Sequence, residues 1–198
     1  MKTPPTLHPG RRFSSNLSVE RIRKRLPPLD GRSLRIRFMP ALTVGSGKLY
    51  SRRSCGQPVY AGSYIRKREI VLDHELKSYP QELARILTHE LFHFAWVRLG
   101  NPARRSYESL VRREFKNHAR GELGWSAESR KSAFSHARQP TSHHLLTWRE
   151  YICESFCDTA AWLYSGVRRH GEFTLGARYK SRRAEWFFET FGNGPISI

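Results

Sequence analysis

The alternation of apolar and polar residues predicts a small sheet in the first part of the chain. Apolar side chains alternate with arginines between residues 33 and 39, a period of two that is typical of a strand with one buried face. Residues 59–61 and 69–72 form short, mostly apolar runs in a region punctuated by glycine and proline, and they predict two further strands. We therefore expect a sheet of about three strands.

Helical spacing of apolar residues predicts two buried helices farther along the chain. The first runs from about Pro80 to Leu99, because Pro80 suits a first helical turn and Gly100 suits the residue after the end. The second begins at a capping box formed by Thr147 and Glu150 and is mostly apolar along its length. We expect the first helix to be central and the second to be mostly buried.

The remaining segments are more polar, and we interpret residues 101–146, which are rich in charge and histidine, as a helical insertion. Additional helices are expected at residues 18–26, 103–118, 127–137 and 178–191. Residues 1–15 combine prolines with basic residues and predict a disordered tail. The rest, residues 16–198, is long enough for a single α+β domain.

Basic residues dominate the composition, since 35 Lys and Arg against 17 Asp and Glu leave a formal net charge of +18. Hydrophobic residues make up 38% and aromatic residues 12% of the chain, which excludes a wholly disordered protein. No apolar run approaches the roughly 20 residues that cross a membrane, and the N-terminus lacks the apolar stretch of a secretory signal. We expect a soluble, cytoplasmic protein in which Cys153 and Cys157 remain reduced and pack in the core.

The central helix carries the motif His89-Glu90-Leu91-Phe92-His93. Residues i and i+4 lie about 40° apart around an α-helix, so the imidazoles of His89 and His93 leave one face and can bind one ion. Glu90 projects about 100° away, which suits a general base that reaches a water without being a ligand. Because two nitrogens leave a zinc ion short of protein ligands, we expect a third ligand.

Glu154 is the favoured third ligand, since it lies with Asp158 at i,i+4 on the apolar second helix, where acidic groups need a cationic partner. Asp158 could accept the N–H of the non-coordinating nitrogen of His89 or His93 and so fix its tautomer. Glu114 remains the alternative ligand, although its basic, hydrophilic surroundings indicate a solvated surface. The same segment also offers Glu122, Glu128, His136 and His143.

Two further residues are candidates for stabilising a transition state. His143 and His144 precede the capping box, and one of them, with His144 as the candidate, could approach a water on the metal. Tyr164 could donate a hydrogen bond to a developing oxyanion. The ordinary interpretations are favoured for both, namely an exposed loop histidine and a tyrosine that packs in the core. Cys153 and Cys157 share the i,i+4 spacing of metal ligands, but they lie on a different side of the helix from Glu154.

The order of these motifs resembles that of gluzincin-type zinc metallopeptidases, in which a strand, an HExxH helix and a glutamate helix follow one another. The string from Glu154 to Tyr164 is similar to the glutamate helix of ImmA/IrrE-like peptidases. The basic character and the order of elements are also similar to those of SprT-like proteases, which act on DNA-associated proteins. The resemblance covers about residues 64–165, and H-E-x-x-H is its most specific part.

The resemblance implies a zincin-like fold and a Zn²⁺ cofactor held by His89, His93 and Glu154. It implies hydrolysis of a peptide or protein substrate by metal-activated water, with Glu90 as the general base, and it favours His89 as the partner of Asp158. An edge strand beside the site, for which residues 69–73 are the candidate, would hold an extended substrate by strand addition.

A different class of function is also compatible with the charge. The chain would then be a nucleic-acid-associated regulatory protein with a structural metal or none, and its basic clusters would contact phosphates without reading sequence. The clusters comprise Arg11, Arg12, Arg21, Arg23, Lys24, Arg25, Arg52, Arg53, Arg66, Lys67, Arg68, Arg168 and Arg169. A structural site would have four protein ligands, whereas a catalytic site keeps one position for water.

Overall fold

The computed structural model describes residues 19–46, 48–51, 56–136, 142–192 and 194–198, so the expected disordered tail at 1–15 lies outside the described residues. The fold is α+β. Its elements are, in chain order, α1 (Val19–Arg23), β1 (Leu29–Asp30), β2 (Arg35–Met39), β3 (Leu42–Gly45), β4 (Lys48–Ser51), β5 (Gln57–Pro58), β6 (Ala61–Tyr64), β7 (Glu69–Asp73), α2 (Pro80–Arg98), α3 (Asn101–Lys116), α4 (Trp125–His136), α5 (Ser142–Tyr164), α6 (Ala177–Phe191) and β8 (Ile196–Ser197).

The sheet next to the long helices has three strands in the order β2-β7-β6, which confirms the expected strand number. Strand β2 is parallel to β7, and β6 is antiparallel to it. All five residues of β7 are buried, because strands flank it on both sides. The expectation that residues 69–73 form an edge strand is therefore wrong. The edge strand that contacts α2 is β6, which starts at Ala61, later than the predicted run at 59–61.

Two smaller sheets complete the β structure in the described part of the chain. An antiparallel sheet in the order β4-β3-β5 packs beside the first, and β1 pairs in parallel with β8. This second pairing places the end of the chain beside residues 29–30. Ile22 of the short helix α1 is fully buried, which agrees with the expectation that the apolar side of this helix docks on the domain.

Helix α2 has almost the predicted extent, since it begins with Pro80 in its first turn and ends at Arg98. Helix α2 packs on both β6 and α5. Twelve of its residues are consequently buried, and they include His89 and Glu90. The polar side chains of the HExxH motif thus lie between two layers of the fold.

Helix α5 begins at Ser142 and not at the predicted capping box. Thr147 and Glu150 lie inside the helix, so the capping-box prediction is wrong. The residues between Ser142 and Thr147 include neither glycine nor proline, and Pro140 lies just upstream. Without a helix breaker, the helix continues through a local motif that elsewhere marks a first turn.

The segment 101–146 contains α3 and α4 close to their predicted positions. Tyr107, Leu110 and Val111 of α3 belong to the main hydrophobic core, so this segment helps to build the core. Helix α6 ends at Phe191 and is followed, as predicted, by Gly192, whose φ of 52° favours glycine. None of the helices in the described ranges has the length and apolar character that a membrane span requires.

Candidate metal centre

His89 and His93 lie one turn apart on α2, and their rings point toward the same spot. The two Nε2 atoms are 3.2 Å apart, and the ring planes are inclined at 77° to each other. His89 is buried and His93 is half-buried beside a cleft. The i,i+4 spacing therefore places two imidazole nitrogens where they can share one ion, as the sequence predicts.

Glu154 of α5 brings a carboxylate to the same place. Its Oε2 lies 3.2 Å from Nε2 of His89, and its Oε1 lies 4.0 Å from Nε2 of His93. In a tetrahedral zinc site with bonds of 2.0–2.1 Å, neighbouring ligand atoms are about 3.3 Å apart. The two separations of 3.2 Å that meet at His89 Nε2 fit this geometry without any movement of the backbone.

Asp158, one turn after Glu154, contacts the other nitrogen of His89. Its Oδ1 lies 2.7 Å from Nδ1 of His89, and its Oδ2 accepts a hydrogen bond of 2.9 Å from the N–H of Ala127. A carboxylate only accepts, so Nδ1 of His89 carries a proton, and Nε2 is the nitrogen left for a metal ion. This is the contact that the sequence predicts for Asp158, and it involves His89.

Gly124 provides the space for the carboxylate of Asp158. A Cβ atom at this position would lie 2.2–2.4 Å from the carboxyl atoms of Asp158, a distance at which atoms overlap. No larger residue fits here unless Asp158 moves. Gly124 thus belongs to the support of the site through Asp158.

The electrostatic surroundings of the three groups favour positive charge between them. Burial lowers the pKa of His89, but Asp158 and Glu154 outweigh it and raise this pKa well above the ordinary value. Burial also lowers the pKa of His93, whereas its contact with Cys153 and the charge of Glu154 raise this pKa to about 9. Burial raises the pKa of Glu154, yet the two histidines hold it well below its usual value. A divalent cation can replace these protons.

Glu90 lies on the neighbouring face of α2, away from the row of histidines, as the motif predicts. Its Oε2 accepts a hydrogen bond of 2.6 Å from the hydroxyl of Ser63, which belongs to β6. Glu90 is 8% exposed and lines the same cleft as the histidines. Ser63 therefore orients the carboxylate of Glu90 and leaves Oε1 for another partner.

A cleft of about 910 Å³ opens beside these groups. Strand β6 and helix α2 form one wall, and the other wall comes from α4, α5 and the loop at 169–172. A cleft of this size accommodates a drug-sized ligand or a few residues of a peptide. It is lined near the histidines by Ala61, Gly62, Ser63, Glu90, Arg130, Cys153 and Glu154.

The structure does not bring Tyr164 to the site, which agrees with the favoured interpretation that it packs in the core and not with the possible role in stabilising a transition state. The ring of Tyr164 stacks on Phe92 at 5.5 Å and contacts Phe187 in the core, and Tyr164 is absent from the cleft lining. Ring packing against these apolar neighbours holds the side chain away from the cleft. The side chains of His143 and His144 lie outside the described residues.

Glu114, the alternative ligand, is not on a solvated surface as its neighbours in the sequence suggest. It is 2% exposed, and its Oε2 accepts a hydrogen bond of 2.6 Å from Arg183 of α6. Glu122 is fully buried and also accepts from Arg183, at 2.9 Å. Arg183 supplies the countercharge that makes both burials possible, so Glu114 already has a cationic partner.

Two residues of the site have no signal in the sequence, and two others lie closer to the histidines than the favoured interpretation of core packing implies. Ser63 and Arg130 reach the cleft only through tertiary packing of β6 and α4. Cys157 is buried as expected, but its Sγ and one nitrogen each of His89 and His93 lie within 4.8 Å of one another. Core packing is also an incomplete account of Cys153, which lines the cleft and places its Sγ 3.5 Å from Nδ1 of His93.

The basic residues of the alternative hypothesis are only partly within the described ranges. Arg11, Arg12, Arg52, Arg53 and the side chain of Arg21 lie outside the described residues, while Arg23, Lys24, Arg25, Arg66, Lys67, Arg168 and Arg169 are exposed. Arg68 is half-buried and donates to the carbonyl of Ile198.

Comparison with known proteins adds no relative to these observations. No family model, no curated protein and no solved structure matches this chain. Any assignment of function therefore rests on the chemistry of the residues described above.

Proposed function

We propose that this chain is a zinc-dependent metallopeptidase in which the β2-β7-β6 sheet, α2 and α5 have a zincin-like arrangement. The observation that carries the proposal is the meeting of His89 Nε2, His93 Nε2 and the Glu154 carboxylate at separations of 3.2 Å and 4.0 Å. Atoms with lone pairs this close together repel one another unless positive charge lies between them. A borderline cation such as zinc matches the set of two nitrogens and one oxygen.

The chain's own residues then have distinct roles in hydrolysis. A bound zinc ion would supply a Lewis acid that lowers the pKa of water and polarises a carbonyl group. Glu90 accepts the proton of the attacking water and delivers it to the leaving nitrogen, and the hydroxyl of Ser63 holds its carboxylate in place. Asp158 keeps the proton on Nδ1 of His89, so that Nε2 remains a ligand.

Strand β6 is the element best placed to hold an extended substrate. One of its edges pairs with β7, and no strand among the described residues pairs with its other edge. Ala61, Gly62 and Ser63 of β6 line the cleft beside Glu90. A peptide that adds to this edge would form main-chain hydrogen bonds with β6 and place a peptide bond near the histidines.

The free thiols of Cys153 and Cys157 support a cytoplasmic location. In an oxidising compartment, the accessible thiol of Cys153 would be prone to oxidation. In the cytosol, cysteines are usually reduced. Proteins or peptides of the same compartment are the proposed substrates.

Zinc content and hydrolysis, measured on the same samples, test the proposal. The wild type should retain about one zinc ion after dialysis and cleave an unstructured protein such as casein. Glu90→Gln should retain zinc and lose activity by roughly 10²–10⁴-fold, while His93→Ala and Glu154→Ala should lose zinc. Glu189→Gln, an exposed carboxylate of α6, is the control and should retain both. Undiminished cleavage by Glu90→Gln, or a wild type without zinc, contradicts the proposal.

A second candidate is a polyanion-binding regulatory protein with a structural metal, and the position of Cys157 favours it. If Cys157 joins His89, His93 and Glu154, the metal has four protein ligands and no place for water. Replacement of zinc by cobalt distinguishes the two, because a thiolate ligand gives an intense near-ultraviolet absorption band. The peptidase proposal expects no such band and unchanged metal content in Cys157→Ser. A band that disappears in Cys157→Ser would support the structural site, and steeply salt-dependent binding to nucleic acid would support the regulatory role.

A further inference from the structure

The proposed hydrolysis creates negative charge on the substrate oxygen, and some group in the cleft should bind it. Preorganised donors at this position usually make one of the largest contributions to catalysis. Tyr164 cannot provide this group because it packs in the core. Three arginines line the cleft, namely Arg85, Arg130 and Arg169, and their surroundings differ.

Two of these arginines are poorly suited to the role. Arg85 is buried and forms hydrogen bonds of 2.8 Å to Glu82 and 3.0 Å to Glu172, so its charge is already compensated. Arg169 is exposed and directly precedes His170, whose Nε2 contacts the carboxylate of Glu82. Glu82 lies seven residues before His89 on α2, a rise of about 10 Å. Arg169 therefore belongs to the end of the cleft that is distant from the histidines.

Arg130 of α4 is the remaining cation, and it is close to the candidate metal ligands. Its Nη2 lies 3.7 Å from Oε1 of Glu154, and its Nε lies 3.7 Å from Oε2 of Glu150. Both distances are longer than a hydrogen bond. The group is thus attracted to the two carboxylates of α5 without being bound to either.

The hydrogen-bonding capacity of Arg130 is largely unused. A guanidinium group has five N–H donors, and Nη1 of Arg130 donates to the carbonyl of Ser126 at 3.2 Å. Its Nε is buried and has no hydrogen-bond partner within the described ranges of the chain. A buried donor without a partner is unfavourable, so an anion that accepts hydrogen bonds from this guanidinium would be favoured.

We propose that Arg130 is a further catalytic residue, which binds the oxyanion of the substrate by charge-assisted hydrogen bonds. The inference rests on the proposed peptidase function and adds the group that this function still lacks. Arg130 stays protonated throughout, and it neither gives up a proton nor forms a covalent bond. Its contribution is a permanent positive charge with planar donors at the place where negative charge develops.

The main alternative is that Arg130 only positions Glu154, from which it is 3.7 Å away. A positioning residue would affect metal binding, whereas a residue that binds the oxyanion affects only ligands with an oxygen at that point. Measurements on metal and ligand separately therefore distinguish the two roles.

The test is calorimetric binding of two dipeptide probes to the zinc-loaded protein. A phosphonamidate carries tetrahedral anionic oxygens like the hydrolytic intermediate, and a hydroxamate binds zinc through a planar group. Arg130→Gln should weaken phosphonamidate binding by roughly 10- to 100-fold and leave hydroxamate binding and zinc content nearly unchanged. Arg130→Lys, which retains the charge and the packing of the stem, should lie in between, and Arg113→Gln, an exposed residue of α3, should match the wild type.

Each contrary outcome has a distinct meaning. Equal phosphonamidate affinity in Arg130→Gln and the wild type would remove Arg130 from this role and leave the peptidase proposal intact. Loss of zinc together with both probes in Arg130→Gln and Arg130→Lys would show that the residue only positions Glu154. A zinc-loaded wild type that binds neither probe would overturn the peptidase proposal and the role of Arg130 with it.

Discussion

The carboxylate of Asp158 joins the imidazole of His89 to the N-terminal end of α4. Its Oδ1 lies 2.7 Å from Nδ1 of His89, and its Oδ2 accepts from the N–H of Ala127. Asp158 is 1% exposed, so neither contact competes with water. The orientation of one proposed metal ligand therefore depends on the packing of a helix that contains none of the ligands.

Replacement of Gly124 by alanine tests this dependence. The new Cβ atom would overlap the carboxyl group of Asp158, so Asp158 must move and His89 loses its support. Because such supporting contacts are worth about 10- to 100-fold in metal affinity, we expect zinc affinity to fall by that factor, as measured by competition with a chelator.

Gly176→Ala is the matched control, since a Cβ atom there meets only Tyr179 at 3.7 Å. It should bind zinc like the wild type. Wild-type affinity in Gly124→Ala would mean that the Asp158–His89 contact does not support metal binding.

Metal binding should release protons, because zinc and protons compete for the same nitrogens. The pKa of His93 is raised to about 9 and that of His89 is also raised, so both imidazoles are protonated at neutral pH before metal binds. Zinc needs neutral imidazole, so its affinity should rise as the pH is raised from 7 to about 9.

Calorimetry in buffers of different ionisation enthalpy measures the number of protons released. At pH 7 we expect about two for the wild type and a smaller number for His93→Gln. Zinc binding without proton release would contradict the exchange of imidazole protons for the metal.

Glu82 should contribute a pH-dependent part of the stability. Burial raises its pKa, but His170 and Arg85 outweigh burial and lower it from 4.5 to about 2. A carboxyl group with a depressed pKa in the folded state stabilises the protein above its unfolded pKa, and the contribution is lost as pH falls toward 2. The full contribution is on the order of 3 kcal/mol.

Urea denaturation of the wild type and Glu82→Gln at several pH values measures this contribution. The difference in the free energy of unfolding should be largest above about pH 5 and should shrink as the pH falls toward 2. A difference that is independent of pH would assign the effect of the substitution to packing and not to the charge of Glu82.

Local patterns in the sequence predicted the parts of the site that lie on single helices. The i,i+4 spacing of His89 and His93 and the acidic pair on α5 required only helical geometry and the cost of burying charge. Ser63 and Arg130 were not predictable, because they reach the cleft through the packing of separate elements.

The errors have the same origin. Glu114 has mostly basic neighbours in the sequence, yet it is buried because it pairs with Arg183, 69 residues away. No local pattern reveals that partner. The motif at Thr147 does not begin a helix, because no helix breaker lies between it and Ser142, where α5 begins. Strand order also depends on nonlocal pairing, which places β7 between β2 and β6.

The buried ion-pair network around Arg183 should be the most sensitive point for stability. Arg183 is fully buried and binds Glu114 and Glu122, and Glu122 also accepts from Lys131 at 3.0 Å and from the hydroxyl of Tyr151 at 2.5 Å. Arg183→Met leaves two buried carboxylates without their main partner. Removing one member of such a pair costs about 3–5 kcal/mol, and urea denaturation should show a loss of this size.

Two comparisons separate the loss of pairing from the loss of packing. Arg178→Met removes an exposed arginine from the same helix and should change stability by less than about 0.5 kcal/mol. The triple variant Arg183→Met/Glu114→Gln/Glu122→Gln removes the stranded charges and should recover part of the loss, since neutral groups are less costly to bury than unpaired ions. If the triple variant is less stable than Arg183→Met alone, the carboxylates stabilise the fold through partners other than Arg183, and the network does not depend on this arginine.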